Sequence, residues 1–290
     1  MFAILGASGK VGRATIERLR GQGAPVRAVV RESSNTDDLR ATGCEIAVAD
    51  LHDAAAVRKA IEGARGVQVI CPVSSRAKDA ASDMANIIDA IAAALSETRP
   101  ETVLAISDYG AHVESGTGIT MAFHYLEGRL SQMSSAVTFL RSAEHMQNWA
   151  RVIKSALETG LLPSLHQPLT KSFPTISAPD LGVISAELWL EKRTSPAPRV
   201  IHAEGPRRYN ALEVAATLGK VSGRQITARE LPQSEWIPTL MRAGLSQSYA
   251  ELVFELYVAH NAGRIDVEPG GEVCCGATEL GDVFTSLMGC

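Results

Sequence analysis

The stretch GASGKVG, residues 6–12, follows the apolar run MFAIL and leads into RATIERLRGQG, so a glycine loop joins a short strand to a helix at the start of the chain. No other feature constrains the fold as strongly. A parallel sheet binds ligands at the carboxyl ends of its strands, where the first strand-to-helix turn brings backbone N–H groups to the positive end of a helix dipole. In that role Gly6 ends the strand, Gly9 lets an anion approach the backbone with no Cβ in the way, and Gly12 lets the helix lie close to the strand. The whole loop, Gly6, Ala7, Ser8, Gly9, Lys10, Val11 and Gly12, is a candidate pyrophosphate cradle. Its G-x-x-G-x-x-G spacing differs by one residue from G-x-G-x-x-G, and tight turns also use glycines for structure, so spacing alone leaves both readings open. The context favours a dinucleotide, because the triplet opens a repeating strand-helix pattern.

Short apolar runs at 2–5, 26–30, 45–48, 67–71, 103–106 and 137–140 read as six strands of one doubly wound parallel α/β sheet. Helical spacing covers 12–20, 53–62 and 79–95; in the last, Met84, Ile87, Ile88, Ile91 and Leu95 form one stripe that should face the sheet. Asp53 is placed to cap the second of these helices and Gly63 to close it. Seven prolines between 160 and 210 make that region mostly loop. Beyond 175 the pattern gives a helix at 180–190 capped by Ser177 or Asp180, a short strand at 200–202, a helix at 210–219 behind Asn210, and helical period across 233–263. Trp149, Trp189 and Trp236 sit in apolar contexts and read as packing residues. The simplest architecture is a nucleotide-binding sheet with a smaller, mainly helical lobe closing one side of the cleft.

Composition narrows the function classes. With 290 residues, 46% apolar, and a formal net charge of -4, the chain has no basic excess to attract nucleic-acid phosphates. It contains no apolar run of membrane-spanning length, and residues 2–5 are too short for a signal-peptide core, so a cytoplasmic protein is expected. The five cysteines are odd in number and lack metal-ligand spacing; a reducing compartment and no metal are expected, with Cys274 and Cys275 as small buried or loop residues. HExxH, G-x-S-x-G and P-loop lysine motifs are absent from the sequence.

The second strand bears on the cofactor. NAD-binding sheets place an acid about 20 residues past the loop for the ribose 2′-OH, whereas an arginine there accommodates a 2′-phosphate. Here VRAVVRESSN offers Arg31, Ser33 and Ser34 at the strand tip, with Glu32 as the acid. A guanidinium suits a phosphate dianion by charge and fork geometry, although a solvated surface arginine fits the same position. Asp50, in VADLHD, either accepts from an adenine amino group or begins the next helix. Leu51, Cys71, Pro72, Val73 and Ser107 lie at or just beyond strand ends and complete the candidate cofactor contacts.

Taken with HYLEGRLSQMSSAVTFLRSAEHMQNW, APDLGVISAELWL, AEGPRRYNALEVAATLGKVSGRQI and MRAGLSQSYAELVFELYVAHNAGR, these motifs make nearly the whole chain similar to the NmrA-like members of the atypical short-chain dehydrogenase/reductase superfamily. The resemblance implies NADP(H) as cofactor, a Rossmann-type domain at 1–150 with 175–203 returning to the sheet, and a substrate lobe from 151–174 and 204–290. It also implies that Arg141 to His145, including Ser142 and Ala143, cover the nicotinamide. The family holds NADPH-dependent quinone reductases, isoflavone-reductase-like enzymes and redox-sensing regulators without turnover. The expected function is NADPH-dependent reduction of a quinone-like or small conjugated carbonyl compound. An NADP(H) sensor is the alternative from another class, and non-redox isomerase or epimerase chemistry stays open. A small molecule is the expected partner, and a homodimer is an open alternative to a monomer.

Short-chain reductases normally use Tyr-x-x-x-Lys, in which the phenol gives a proton to the reduced carbonyl. By the same resemblance, anchored on Glu127, the lysine position here is Phe123 and the tyrosine position Ile119. Tyr125-x-x-x-Arg129 has the spacing but is displaced along the helix. His124, one residue off register, is the expected proton donor near the nicotinamide, since an imidazole can give a proton at neutral pH. Tyr125 and Ser107 are further catalytic candidates, and Ser107, Asp108 and Tyr109 follow strand five, where the family places substrate and ribose contacts. A quinone accepts hydride readily, so positioning can supply much of the rate without the acid pair.

Overall fold

The computed structural model describes residues 1–32, 34, 36–191 and 197–289; Ser33, Pro196 and Cys290 lie outside them. Its first half alternates as the sequence pattern requires: β1 (Phe2–Leu5), α1 (Lys10–Gly21), β2 (Val26–Val30), α2 (Asp37–Ala41), β3 (Glu45–Val48), α3 (Ala54–Ile61), β4 (Gly66–Val69), α4 (Ala80–Thr98), β5 (Thr102–Asp108), α5 (Thr120–Leu130) and β6 (Ala136–Ser142). The second half is more broken: β7 (Glu144–His145), α6 (Ala150–Thr159), β8 (Leu161–Ser164), β9 (Thr175–Ile176), α7 (Ala178–Leu190) and β10 (Arg199–Glu204). It ends with α8 (Ala211–Ser222), β11 (Thr227–Glu230), α9 (Trp236–Arg242), α10 (Gln247–Asn261), β12 (Glu272–Cys275) and α11 (Leu280–Met288). No described helix is long and apolar enough to cross a membrane.

Among the described residues the main sheet has eight parallel strands in the order β12-β10-β6-β5-β4-β1-β2-β3. Strand order reverses between β1 and β4, so loops leaving their carboxyl ends diverge and open a crevice. The sheet therefore exceeds the six expected strands. Strand β10 lengthens the short strand read at 200–202, and β12 adds an edge strand from the segment assigned to the C-terminal lobe. Cys274 and Cys275 sit on β12, half-buried and exposed, so they are neither buried nor loop residues. An edge strand is paired on one side, so EVCC needs no apolar run and leaves no periodic signal.

Local start and stop signals agree with the sequence in most elements. Asp53 caps α3 by accepting from the N–H groups of Ala55 and Ala56 at 2.9 and 3.1 Å. Asn210 and Glu213 form a reciprocal capping box at the start of α8. At α7 neither expected cap acts through its side chain: Ala178 N–H donates to Gln147 Oε1, and the Asp180 carboxylate accepts from Thr278. The helical period over 233–263 is divided at 243–246, where Gly244 adopts φ 94° and Ser246 caps α10. The stripe Met84, Ile87, Ile88, Ile91 and Leu95 is buried in the main core, each such side chain contributing about 1.5–3 kcal/mol. A second core holds Trp149, Phe173, Leu218 and Phe284, and Trp236 anchors a third cluster around Leu240 and Val253.

Helix α1 is locked in place by backbone proximity and a buried polar chain. A Cβ on Gly12 would lie 2.6 Å from the Gly6 carbonyl oxygen, and one on Gly182 of α7 would lie 2.4 Å from that of Val11. The Thr15 hydroxyl faces the carbonyls of Val11 and Gly182 at 3.0 and 3.1 Å and accepts from Gln68 Nε2 at 3.1 Å. Gln68 Oε1 in turn accepts from Trp189 Nε1 at 2.9 Å, so β4, α1 and α7 share one satisfied network.

A second lock crosses the sheet. Arg141 on β6 forks onto Glu127 of α5, with Nε and Nη2 at 2.9 and 2.8 Å from the two carboxylate oxygens, and also pairs with Glu268. The side chains of Arg141 and Glu127 are 5% and 12% exposed, so the carboxylate depends on its partner.

Two substitutions test these locks. Gly182→Ala should destabilise the protein by about 1–3 kcal/mol through overpacking, read as a lower urea midpoint at unchanged m-value. Arg141→Met should cost about 3–5 kcal/mol, because it strands the buried Glu127; a loss below about 1 kcal/mol would contradict the buried-pair account.

Candidate functional site

Among the described residues, two hollows at the carboxyl edge of the sheet share Val73 in their linings. The outer one, about 440 Å³, lies beyond β2, β3 and β4 and is lined by Arg31, Asp50, His52, Pro72, Val73, Arg76 and Asp83 among others. The inner one, about 250 Å³, lies beyond β4, β5 and β6. Its floor includes Val11, Cys71, Ser107, Asp108, Ser142 and Ala143. Val11, in the first turn of α1, lines the inner one. The helix begins at Gly9 with no side-chain cap and no acid in its first turn, so its positive end is not neutralised locally.

The glycine loop has the geometry of a cradle. Gly6 adopts φ 73°, Gly9 has open space where a Cβ would sit except for the Gly6 carbonyl at 3.5 Å, and Gly12 admits no Cβ. Ala7 is buried and its N–H donates to Val29 O, whereas Ser8 and Lys10 are exposed beside the loop. This arrangement fits an anionic diphosphate: unpaired N–H groups, no carboxylate in the turn, and a backbone reachable without steric obstruction.

The outer hollow is lined by two arginines, Arg31 from the end of β2 and Arg76 from the loop after β4, of which the sequence pointed only to the first. Asp50 does not cap α3; its Oδ1 accepts from the His52 backbone N–H at 3.0 Å and faces the ring Nδ1 at 2.9 Å. Those bonds hold the Asp50 carboxyl below the ordinary aspartate range, with Arg31 adding a smaller pull. His52, bonded to Asp50 and Asp83, is raised in turn. Leu51 does not line the hollow and packs against the main core instead.

The inner cavity is roofed by α10, which presents Tyr249, Val253, Leu256, Tyr257 and His260. These positions follow i, i+4, i+7, i+8 and i+11, one face of a helix, so the stripe was present in the sequence as periodicity although its destination was not. Glu144, His145, Asn148 and Arg151 close the far wall, and a hollow of about 50 Å³ opens behind them against Trp149, Leu165 and Leu240. Burial would raise the Glu144 carboxyl, but hydrogen bonds from His166 and Tyr257, at 2.9 and 2.6 Å, hold it down at about 2. Burial pushes His260 down to about 4 and also lowers His145, so both imidazoles are neutral at pH 7.

Three catalytic candidates are not free to act as expected. His124 is absent from the cavity lining, and its Nδ1 donates to the Ala111 carbonyl at 2.8 Å. Tyr125 is on the outer face, where its hydroxyl donates to Asp89 at 2.8 Å beside Arg129. Ser107 does line the cavity, but its hydroxyl donates to Glu127 Oε1 at 2.6 Å. The reason for the first two is helical register: Ile119 and Phe123, four residues apart, face the cavity, and residues 124 and 125 are turned about 100° and 200° away from Phe123. Arg141 likewise turns its guanidinium to Glu127 and Glu268 and leaves Ser142 and Ala143 to line the cavity. Tyr109 lies outside the lining, edge-on to His202. Asp108 lies inside it, its Oδ2 accepting from the Thr120 hydroxyl at 2.6 Å. Burial raises this carboxyl to about 7.

With this geometry in view, comparison with known proteins is informative. Quinone oxidoreductase 2 of Escherichia coli (strain K12) is 25% identical over 267 residues, covering 91% of this chain and 90% of that protein. NAD(P)H azoreductase of Xenophilus azovorans is 24% identical over 278 residues, covering 93% and 92%. The crystal structure of the NADPH-dependent quinone oxidoreductase from Escherichia coli complexed with NADPH superimposes with a TM-score of 0.80 at 23% identity, covering 99% of this chain and all of the other. The NmrA-like family model matches residues 1–274, and the chain belongs to the NmrA-like family.

Proposed function

We propose that this protein binds NADPH along the crevice and reduces a quinone-like or other small conjugated acceptor in the inner cavity. The observation that carries this reading is the adjacency of the two hollows, which share Val73 and set a hollow lined by Arg31 and Arg76 beside a mostly apolar chamber that Val11 of α1 lines. The two curated relatives, a quinone oxidoreductase and an azoreductase, support the same class of acceptor.

On this reading the N–H groups of α1 bind the diphosphate, and Arg31 with Arg76 binds the 2′-phosphate. Ser142 and Ala143 bound the nicotinamide side of the cavity, with Cys71 opposite. The cofactor, when bound, supplies the hydride. Phe123, Val253 and Leu256 exclude water from the chamber and hold a flat acceptor against its floor, so proximity supplies much of the rate. We assign the cofactor platform to 1–150 with 175–203, and the substrate wall to 151–174 and 204–290 apart from the sheet strand β12. A sensor without turnover has less support, because it leaves the enclosed chamber beyond Ser107 without a use.

The decisive assay is NADPH oxidation with a panel of quinones and azo dyes. Binding of NADPH with no turnover across that panel would contradict the reductase reading. For the cofactor, Arg31→Ala should weaken NADPH by about 10–100-fold, the loss of a charge-assisted hydrogen bond, and NADH by less than about threefold. Calorimetric titration of both measures this, and equal weakening removes the assignment of Arg31 to the 2′-phosphate.

A further inference from the structure

The reductase reading leaves one chemical need unmet. Hydride addition to a quinone leaves a phenolate-like oxygen that requires one proton, and the two helix positions that would hold an acid pair are Ile119 and Phe123. His124, Tyr125 and Ser107 each donate elsewhere. Asp108 differs from all three. It ends β5 beside Ser107, lines the cavity, and is half-buried, so it touches cavity space while lying deep in the protein.

We propose that Asp108 is the catalytic acid that protonates the reduced substrate. This assignment rests on the reductase reading. The Thr120 hydroxyl engages Oδ2 at 2.6 Å, and on this assignment the transferable proton is the one carried by Oδ1. The bound cofactor would supply a hydride, whose hydrogen and electron pair would form one new bond to the quinone and leave a phenolate-like oxygen. The Oδ1–H bond of Asp108 breaks as its proton passes to the quinone oxygen. The products are NADP⁺, hydroquinone and the Asp108 carboxylate, which takes a proton from solvent to reset. One positive and one negative charge arise together, so the chamber gains no net charge, which an apolar site disfavours.

The surroundings raise the carboxyl to about 7, so it carries its proton below neutrality. Burial is the largest influence, and the carboxylates of Glu144 and Glu127 add to it, against opposing hydrogen bonds from the Thr120 hydroxyl and the Tyr109 backbone N–H. From α10 the facing groups are Tyr249, Tyr257 and His260; from β7, His145; from α6, Arg151; and from the segment after β4, Cys71, whose buried thiol is pushed up to about 12. The raised carboxyl favours the folded state fully below the ordinary aspartate value, and that contribution is lost as pH rises through about 7.

The test compares the wild type with Asp108→Asn and Thr120→Val, using NADPH and 1,4-benzoquinone. In the wild type kcat should fall as pH rises through about 7. Asp108→Asn should lower kcat about 100-fold and abolish that limb, with NADPH affinity unchanged. Thr120→Val removes a bond that favours the ionised form, so the limb should move to higher pH, which a merely structural role would not produce. In the cofactor-free protein, carbon-13 NMR of the Asp108 carboxyl should show it titrating near neutrality, and the loss of stability between pH 4 and 8 should be smaller in Asp108→Asn. Retained kcat and an intact limb in Asp108→Asn, or a carboxyl that ionises below pH 5, would overturn the assignment alone. Absence of quinone turnover in the wild type would overturn the reductase reading and this assignment together.

Discussion

The approach of α1 to its neighbours is the constraint on which the site depends. The helix touches the loop backbone at Gly12 and the α7 backbone at Gly182, at distances that exclude any side chain. Thr15, Gln68 and Trp189 then fix its rotation by a buried chain in which every donor has an acceptor. Because the helix cannot slide or turn, its N-terminus stays over the point where strand order reverses. Sheet topology supplies the crevice and the glycines supply its reachable backbone. The proposed anion site needs both.

The two ends of the crevice are built by different means. At the outer end charge dominates: two arginines, two aspartates and a histidine share an open hollow. Exposed charges there are screened by solvent and salt, so their value lies in orientation and selectivity more than in stability. At the inner end burial dominates. Glu144 is held ionised by His166 and Tyr257, Asp108 is driven toward neutrality, and two imidazoles are kept uncharged. Burial pushes both carboxyls of the chamber upward; at Glu144 the hydrogen bonds and charge of its partners outweigh it, and at Asp108 the bonds from the Thr120 hydroxyl and the Tyr109 backbone N–H do not.

How much of this the sequence disclosed follows from how local each determinant is. Strands β1, β2 and β3 coincide with their apolar runs, and α3 and α8 begin at their capping residues, because those signals lie within a few adjacent residues. The glycine cradle is legible for the same reason. Strand β12 is not: its pairing partner lies some seventy residues earlier, and an exposed edge demands no hydrophobic pattern. The misplacement of His124 and Tyr125 has another origin. Their chemistry suited the reaction, but one residue of helical register separates the cavity from the backbone of the neighbouring loop, and chemistry does not reveal rotation. Arg76 and the α10 stripe were unreadable as site residues because only the closed fold brings them to the sheet edge.

Residues around the inner cavity differ from those of the glycine loop in what they also do for the fold. Gly12 admits no Cβ, so change there disturbs the seat of α1. Around the cavity, structural and lining duties are divided. Glu144 ties β7 to the lobe through His166 and Tyr257, and the backbone of β7 pairs with β9, which fixes the position of the segment as a whole. Phe123, Val253 and Leu256 meet the cavity without polar obligations, and Arg151 stands at the mouth of the smaller hollow. These side chains can change in size or polarity while the framework that carries them persists. A fold arranged in this way can vary the lining of its cavity without disturbing the hydrogen-bonded framework beneath it.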